Sequence, residues 1–195
     1  MLWRTVMKAT LATGVFAVVH SLMASFAARR GVGRLVGERR AEGVYRFTFC
    51  ALSVLKLLAL LVWLRHLPDR TLYRVGGLPR FVLIAGQAAS LGMIVAAARQ
   101  VGFTRISGVA ALDDLLSGRP VQPTPVAQHP APKSEAELGW HGPYRLSSHP
   151  ANYFVLPACW LSPVMSARWL GVGIATTLYM VLGSLHEDAR LRSAY

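Results

Sequence analysis

Acidic residues and cysteines are scarce in this chain: nine Asp and Glu and two Cys among 195 residues. Cys50 and Cys159 each sit inside an apolar run. They make no disulfide framework, read as small core residues and leave the redox compartment open. No glycine-rich strand-to-helix turn of the nucleotide-binding kind is present, and no internal repeat. His129, His141 and His149 are too far apart, in too proline-rich a setting, for a compact metal site, so none is expected. Charge of either sign is sparse, at 15% of residues, yet 21 Lys and Arg leave a net charge of +12. In a soluble protein that excess would suggest nucleic acid. Here the arginines flank apolar runs instead of alternating with aromatics, which argues against nucleic acid and for topology signals and lipid-headgroup contacts.

Apolar residues make up 53% of the chain and the mean hydropathy is +0.39, above the composition of an ordinary soluble domain. An all-α, polytopic membrane bundle in a single domain, 1–195, is the expectation, with the bilayer as its main partner. About five hydrophobic segments are legible, at 5–28, 44–64, 81–98, 151–165 and 170–185. The first three approach or exceed the roughly 20 residues a helix needs to cross a bilayer. A cleavable leader competes for the first segment, but Arg29 and Arg30 directly after it favour a retained helix. The last two segments are short, separated only by Ser166 to Trp169, and predict a tight helical hairpin that need not span fully. The arginines between the first two segments, Arg29 to Arg46, outnumber those between the second and third. By the positive-inside rule this places the 99–149 loop and the C-terminus in the cytoplasm, with the N-terminus outside, in a bacterial inner membrane. That loop is proline-rich from Gly118 to Pro132 and predicts extended chain; Ile106 to Leu116 before it predicts a short interfacial helix with Asp113 and Asp114 towards water.

Two polar clusters bracket the expected hairpin. In Gly142-Pro-Tyr-Arg-Leu-Ser-Ser-His-Pro-Ala-Asn152, Ser147 or Ser148 is suited to cap the next helix and Pro150 to its first turn. A plain helix start explains that much. Tyr144, Arg145 and His149 add polar and cationic groups beside free helix amides, a combination suited to an anionic cofactor group. At the other end, helical spacing puts Tyr179, Gly183, Glu187 and Arg190 on one stripe, with Gly183 allowing a close approach. A solvated helix end with surface ion pairs is the bland alternative. A hairpin would return both clusters to one membrane face.

Gly142-Pro143-Tyr144-Arg145, then Ser148-His149-Pro150-Ala151-Asn152, then Pro163, then Glu187-Asp188-Ala189-Arg190-Leu191 resembles the isoprenylcysteine carboxyl methyltransferase-like superfamily, including its NnrU-type and methanethiol S-methyltransferase relatives. The match covers about residues 140–192, roughly a quarter of the chain. His20-Ser21-Leu-Met-Ala-Ser25 also resembles the NnrU-type relatives, more weakly. The resemblance implies a membrane methyltransferase that binds S-adenosylmethionine at the cytoplasmic face. A small thiol or lipophilic acceptor would enter from the bilayer. It implies cofactor binding by Tyr144, Arg145, His149, Pro150, Asn152, Glu187 and Asp188. Ser148 stands where the family has arginine, Asn152 where it has tyrosine, and Asp188 where it has a second glutamate. The first two departures favour the alternative, a non-enzymatic NnrU-type protein that keeps the fold. A nicotinamide-dependent reductase on the related sterol-reductase scaffold is disfavoured by the short chain.

Within the spans, Lys56 carries a charge near mid-helix, where it either lines a polar pocket or reaches an interface along its stem. His20 and Gln87 read as interhelical hydrogen-bonding groups, and Gly86 with Ser90 as a close-packing pair.

Overall fold

Long apolar runs free of interior breakers become long helices. The computed structural model describes residues 1–121, 142–147 and 149–194, with side chains as far as Leu185. The helices are α1 (Leu2–Ala24), α2 (Phe26–Val36), α3 (Glu38–Arg65), α4 (Gly77–Val101), α5 (Phe103–Ser107), α6 (Val109–Leu116), α7 (Pro150–Trp160) and α8 (Ala167–Ala194). A 3-10 turn covers Gly142–Arg145, and two short strands, β1 (Thr71–Arg74) and β2 (Val164–Ser166), pair antiparallel. The bulk is therefore the expected helical bundle. Among the described residues, four helices, α1, α3, α4 and α8, are long and apolar enough to cross a membrane. Leu55, Leu58 and Val62 of α3 and Phe81 and Val82 of α4 are exposed on their outer faces, as lipid-facing side chains must be.

The last two segments differ from expectation. The 151–165 segment becomes an 11-residue helix, α7, about 16 Å long against a hydrocarbon core of roughly 30 Å. The following segment starts earlier and runs further than 170–185, as the 28-residue α8. Extended residues, not a tight helical turn, connect them, because β2 is drawn into register with β1: Thr71 pairs with Ser166 and Arg74 with Val164. The proline-rich stretch beyond Val121 lies outside the described residues.

A helix that stops short of a bilayer's full thickness leaves carbonyls without amide partners, which is tolerable only where protein supplies donors. Here they are supplied one after another. Pro157 O accepts from Leu161 N at 3.0 Å. Gln87 Nε2 of α4 donates to Ala158 O at 2.8 Å, and Trp169 Nε1 of α8 donates to Cys159 O at 2.8 Å. Tyr73 OH donates to Ser162 O at 3.2 Å and Val75 N to Pro163 O at 2.8 Å. Gln87 thus has the interhelical role its position suggests. The Gly86/Ser90 pair lies on the face of α4 that meets this region: a Cβ on Gly86 would come within 2.7 Å of Leu161 Cδ1, and Ser90 is buried.

The core is a seam of small side chains between α1 and α8. Thr10 Oγ1 donates to Gly171 O, and Ser21 Oγ to Tyr179 OH further along, so the two helices run parallel. Thr5, Ala9, Thr13 and Ala17 recur every fourth residue on α1, and Ala167, Gly171 and Ala175 do so on α8. Ala9 and Ala167 have no exposed surface. Close backbone approach through small residues substitutes for the hydrophobic drive that lipid removes. The α3 helix covers α1 from the other side, where His20 Nδ1 lies 3.1 Å from Ser53 Oγ and the imidazole stacks on Phe16. Lys56 Nζ donates to Met23 Sδ at 3.0 Å, beside the last turn of α1.

At the ribbon end of the bundle, Asp69 fastens the start of α8. Its carboxylate accepts from Arg168 Nε at 2.7 Å and from the backbone N–H of Arg168 at 3.1 Å, while Arg168 Nη1 donates to Leu64 O at 3.0 Å. A carboxylate at a helix N-terminus also meets the positive end of the helix dipole. Burial works against the charged Asp69, but the hydrogen bonds and charge of Arg168 outweigh it and hold the carboxyl below its ordinary range. A depressed folded-state pKa means that this stabilisation is present above the unfolded-state value, near 4, and is lost as pH falls through the folded value. Thermal stability in detergent is therefore expected to be level from neutral pH to about pH 5 and to decline below about pH 4. Asp69→Asn should lower stability at pH 7 by roughly 1–3 kcal/mol and flatten that acid decline. An unchanged acid profile in Asp69→Asn would remove Asp69 as its source.

Candidate functional site

Opposite the ribbon end, the 3-10 turn packs against the last turn of α4, and the start of α7 meets the later part of α8. The 3-10 turn is seated on α4: a Cβ on Gly142 would lie 2.5 Å from Gln100 Nε2. Pro143 and Tyr144 are buried, whereas Arg145 is exposed. The turn thus anchors on Tyr144 and leaves Arg145 exposed.

The start of α7 departs from the expected serine cap. His149 occupies the N-cap position, and no side chain caps the helix. Ser147 Oγ instead accepts the N–H of His149 itself, at 3.0 Å, which spends the hydroxyl before the helix begins. Ser148 lies outside the described residues. Pro150 is the first helical residue, as its missing N–H and fixed φ favour. His149 O accepts from Tyr153 N at 2.9 Å, and the side chain of His149 is 8% exposed. A buried imidazole therefore stands at a helix N-terminus, with Tyr144 buried five residues before it and an exposed arginine between them in sequence.

Asn152 links this cluster to the C-terminal one. Its Nδ2 donates to Ser184 Oγ of α8 at 3.1 Å. Ser184 is three and four residues before Glu187 and Asp188 on the same continuous helix, so about one turn separates their backbone from the α7 contact. The two clusters lie at one end of the bundle. The side chains of Glu187 and Asp188 are outside the described residues. Tyr179, on the same stripe, stands edge-on to His20 with ring centroids 6.3 Å apart. Gly183 has no protein atom within 4 Å of where a Cβ would stand, so it makes no close helix contact among the described residues.

What sequence reasoning missed is the use of Asn152. A polar residue near the start of an apolar helix looks like a variant of a binding motif, and its partner is 32 residues away. Nothing local in the sequence signals that pairing. Among the described residues, no three His, Cys, Asp or Glu side chains group closely enough to hold a metal ion. No protein-family model, curated protein or solved structure matches the chain.

Proposed function

We propose that the chain is an integral membrane S-adenosylmethionine-dependent methyltransferase acting on a small thiol or lipophilic acceptor. The observation that carries this reading is the Asn152–Ser184 hydrogen bond, which brings the start of α7 and the Glu187-bearing turn of α8 to one end of the bundle. The donor set suits the cofactor's two oppositely charged parts. Arg145, with His149, Pro150 and the free amides of α7's first turn, suits a carboxylate. Glu187 and Asp188 suit an ammonium or ribose hydroxyls, and buried Tyr144 braces the turn that carries Arg145.

The cofactor supplies a sulfonium methyl group with a built-in leaving group. An acceptor lone pair forms the new bond to carbon, the carbon–sulfur bond breaks, and its electron pair returns to sulfur. The work left to the chain is alignment and exclusion of water. A thiol acceptor must also lose its proton, for which His149 and His186 are the candidate bases in the two motifs. The arginines from Arg29 to Arg46 and from Arg99 to Arg119 lie at the same end as the two clusters. On the positive-inside rule our reading places that end, and the C-terminus, in the cytoplasm, and we take the membrane to be a bacterial inner membrane.

A second reading draws support from Asn152 itself. It stands where the family's tyrosine would serve, and it is engaged in a structural hydrogen bond, as expected of a non-enzymatic NnrU-type protein that keeps the fold.

Calorimetry of S-adenosylmethionine with the detergent-purified chain separates the two. Saturable binding is expected, weakened about 10- to 150-fold by His149→Ala and by Glu187→Ala, each removing hydrogen bonds to a charged group. Both variants should keep the wild-type helical circular dichroism. Absence of binding by the wild-type chain would favour the non-enzymatic reading.

A further inference from the structure

The α2 helix lies at the edge of the bundle, against α3. None of its residues is buried, yet it is strongly two-sided. Helical spacing gathers Ala28, Val32, Leu35 and Val36 on one side and Arg30 and Arg34 on the other, with Arg29 on the flank beside Val36. Leu35 is 84% exposed, a poor arrangement for a helix meeting only water. Arg29, on that flank, is consumed by an ion pair with Glu42 of α3. Arg30 and Arg34, both exposed, have no hydrogen-bond or ion-pair partner among the described residues. They stand four residues apart on one helix face, where two like charges disfavour the helix unless an anion lies between them. Counting residues 26–42, five arginines face two glutamates, for a net charge of +3.

The chain also fixes where this helix lies. It begins two residues after the spanning α1 ends, beyond Ser25, whose Oγ accepts from Ala28 N at 3.2 Å and starts the new helix. It leads through Gly37 directly into the spanning α3. The α2 helix is thereby held at the level of the lipid headgroups at this end of the bundle.

We propose that α2 is a docking site for an anionic phospholipid, with Arg30 and Arg34 binding its phosphodiester and the Val32/Leu35 side meeting the acyl chains. Guanidinium forks match phosphate oxygens, and two of them on adjacent turns neutralise each other's repulsion through the shared anion. A soluble protein partner would satisfy the arginines, but gives no reason for an apolar side beside the bilayer edge.

The test uses the full-length chain in nanodiscs of zwitterionic phosphatidylcholine with increasing phosphatidylglycerol, following thermal unfolding. Phosphatidylglycerol should raise the melting temperature, and the gain should shrink in 0.5 M salt. Lipid competition in Arg30→Gln/Arg34→Gln should show affinity lower by about fivefold per arginine. Arg65→Gln/Arg70→Gln, at the ribbon end, should retain the full response. A response equal for both lipids, one undiminished in Arg30→Gln/Arg34→Gln, or one reproduced by soluble glycerol phosphate would overturn the proposal. Were the double variant not to fold, Arg30→Lys/Arg34→Lys keeps the charge without the fork and should show an intermediate response, a wild-type response counting against bidentate binding.

Discussion

Gly171→Leu is expected to prevent stable assembly of the bundle. A Cβ at residue 171 would stand 2.5 Å from Val6 O and 2.7 Å from Ala9 Cβ, with Thr10 N at 3.1 Å. Two of these three neighbours are backbone atoms of a regular helix and cannot rotate aside. Relief requires α1 and α8 to separate, which also breaks the Thr10–Gly171 hydrogen bond and opens gaps at Ala9 and Ala167, both without exposed surface. Overpacking of a tight contact costs ~3 kcal/mol or more when backbone must move. Van der Waals contact is the main attraction between helices in lipid, so nothing compensates for the lost fit. Thermal unfolding and gel filtration in detergent should show a severely destabilised or aggregated Gly171→Leu protein. Gly183→Ala, on the same helix where a Cβ meets nothing within 4 Å, should behave as wild type. Equal melting temperatures for Gly171→Leu and wild type would mean that α1 and α8 are not packed as described.

Gly108→Ala should release the α5–α6 segment from α3. Gly108 has a φ of +80°, a region that costs an ordinary residue roughly 1–2 kcal/mol. It also rests directly on α3: an added Cβ would overlap Phe47 N and stand 2.8 Å from the carbonyl carbon of Arg46. The neighbouring contacts depend on that approach. Arg46 Nε donates to Ile106 O at 2.7 Å, and Cys50 Sγ lies 3.4 Å from the same oxygen. The expected cost is about 3 kcal/mol, concentrated in this segment. Hydrogen exchange should accelerate across 103–116, and Cys50 should become more reactive to alkylation. Gly118→Ala is the matching control, since its φ is +71° but no atom lies within 4 Å of a built Cβ. It should carry the conformational cost alone, so equal effects at the two glycines would show that contact with α3 contributes nothing.

The long helices were legible because a bilayer demands a simple pattern, and the runs at 44–64 and 81–98 meet it. The ends were less so. Gly77, Arg80 and Arg99 lie outside the apolar run, yet α4 extends over them, from Gly77 to Val101, and stops only at Gly102. The expected single helix from Ile106 to Leu116 is broken at Gly108 into α5 and α6, where α3 comes too close for a side chain. Asp113 still turns outward, Asp114 is only partly exposed, and both pair with Arg119. The ribbon was not legible at all. Thr71–Arg74 and Val164–Ser166 are four and three residues long, too short to show alternation, and each is specified by the other. The fourth hydrophobic run misled for a related reason: its apolarity continues to Met165, but pairing with Thr71–Arg74 draws its last residues into a strand. For the candidate site, residue types were visible and their supports were not. Ser147 turned inward to the His149 amide, and Asn152 found Ser184, both choices set by tertiary geometry.

Parallel packing of α1 against α8 has a consequence for biogenesis. The earliest and latest of the four spans form one seam, so during synthesis α1 enters the membrane with Thr5, Ala9 and Thr13 facing lipid until residues from Ala167 onward emerge. Until then α3 is its main companion. The newly inserted protein must pass through a stage in which every earlier span is in place and the tightest joint is still open. A ribosome stall or premature stop before Ala167 would strand the chain there, displaying a row of small and hydroxylated residues that membrane quality control is equipped to recognise.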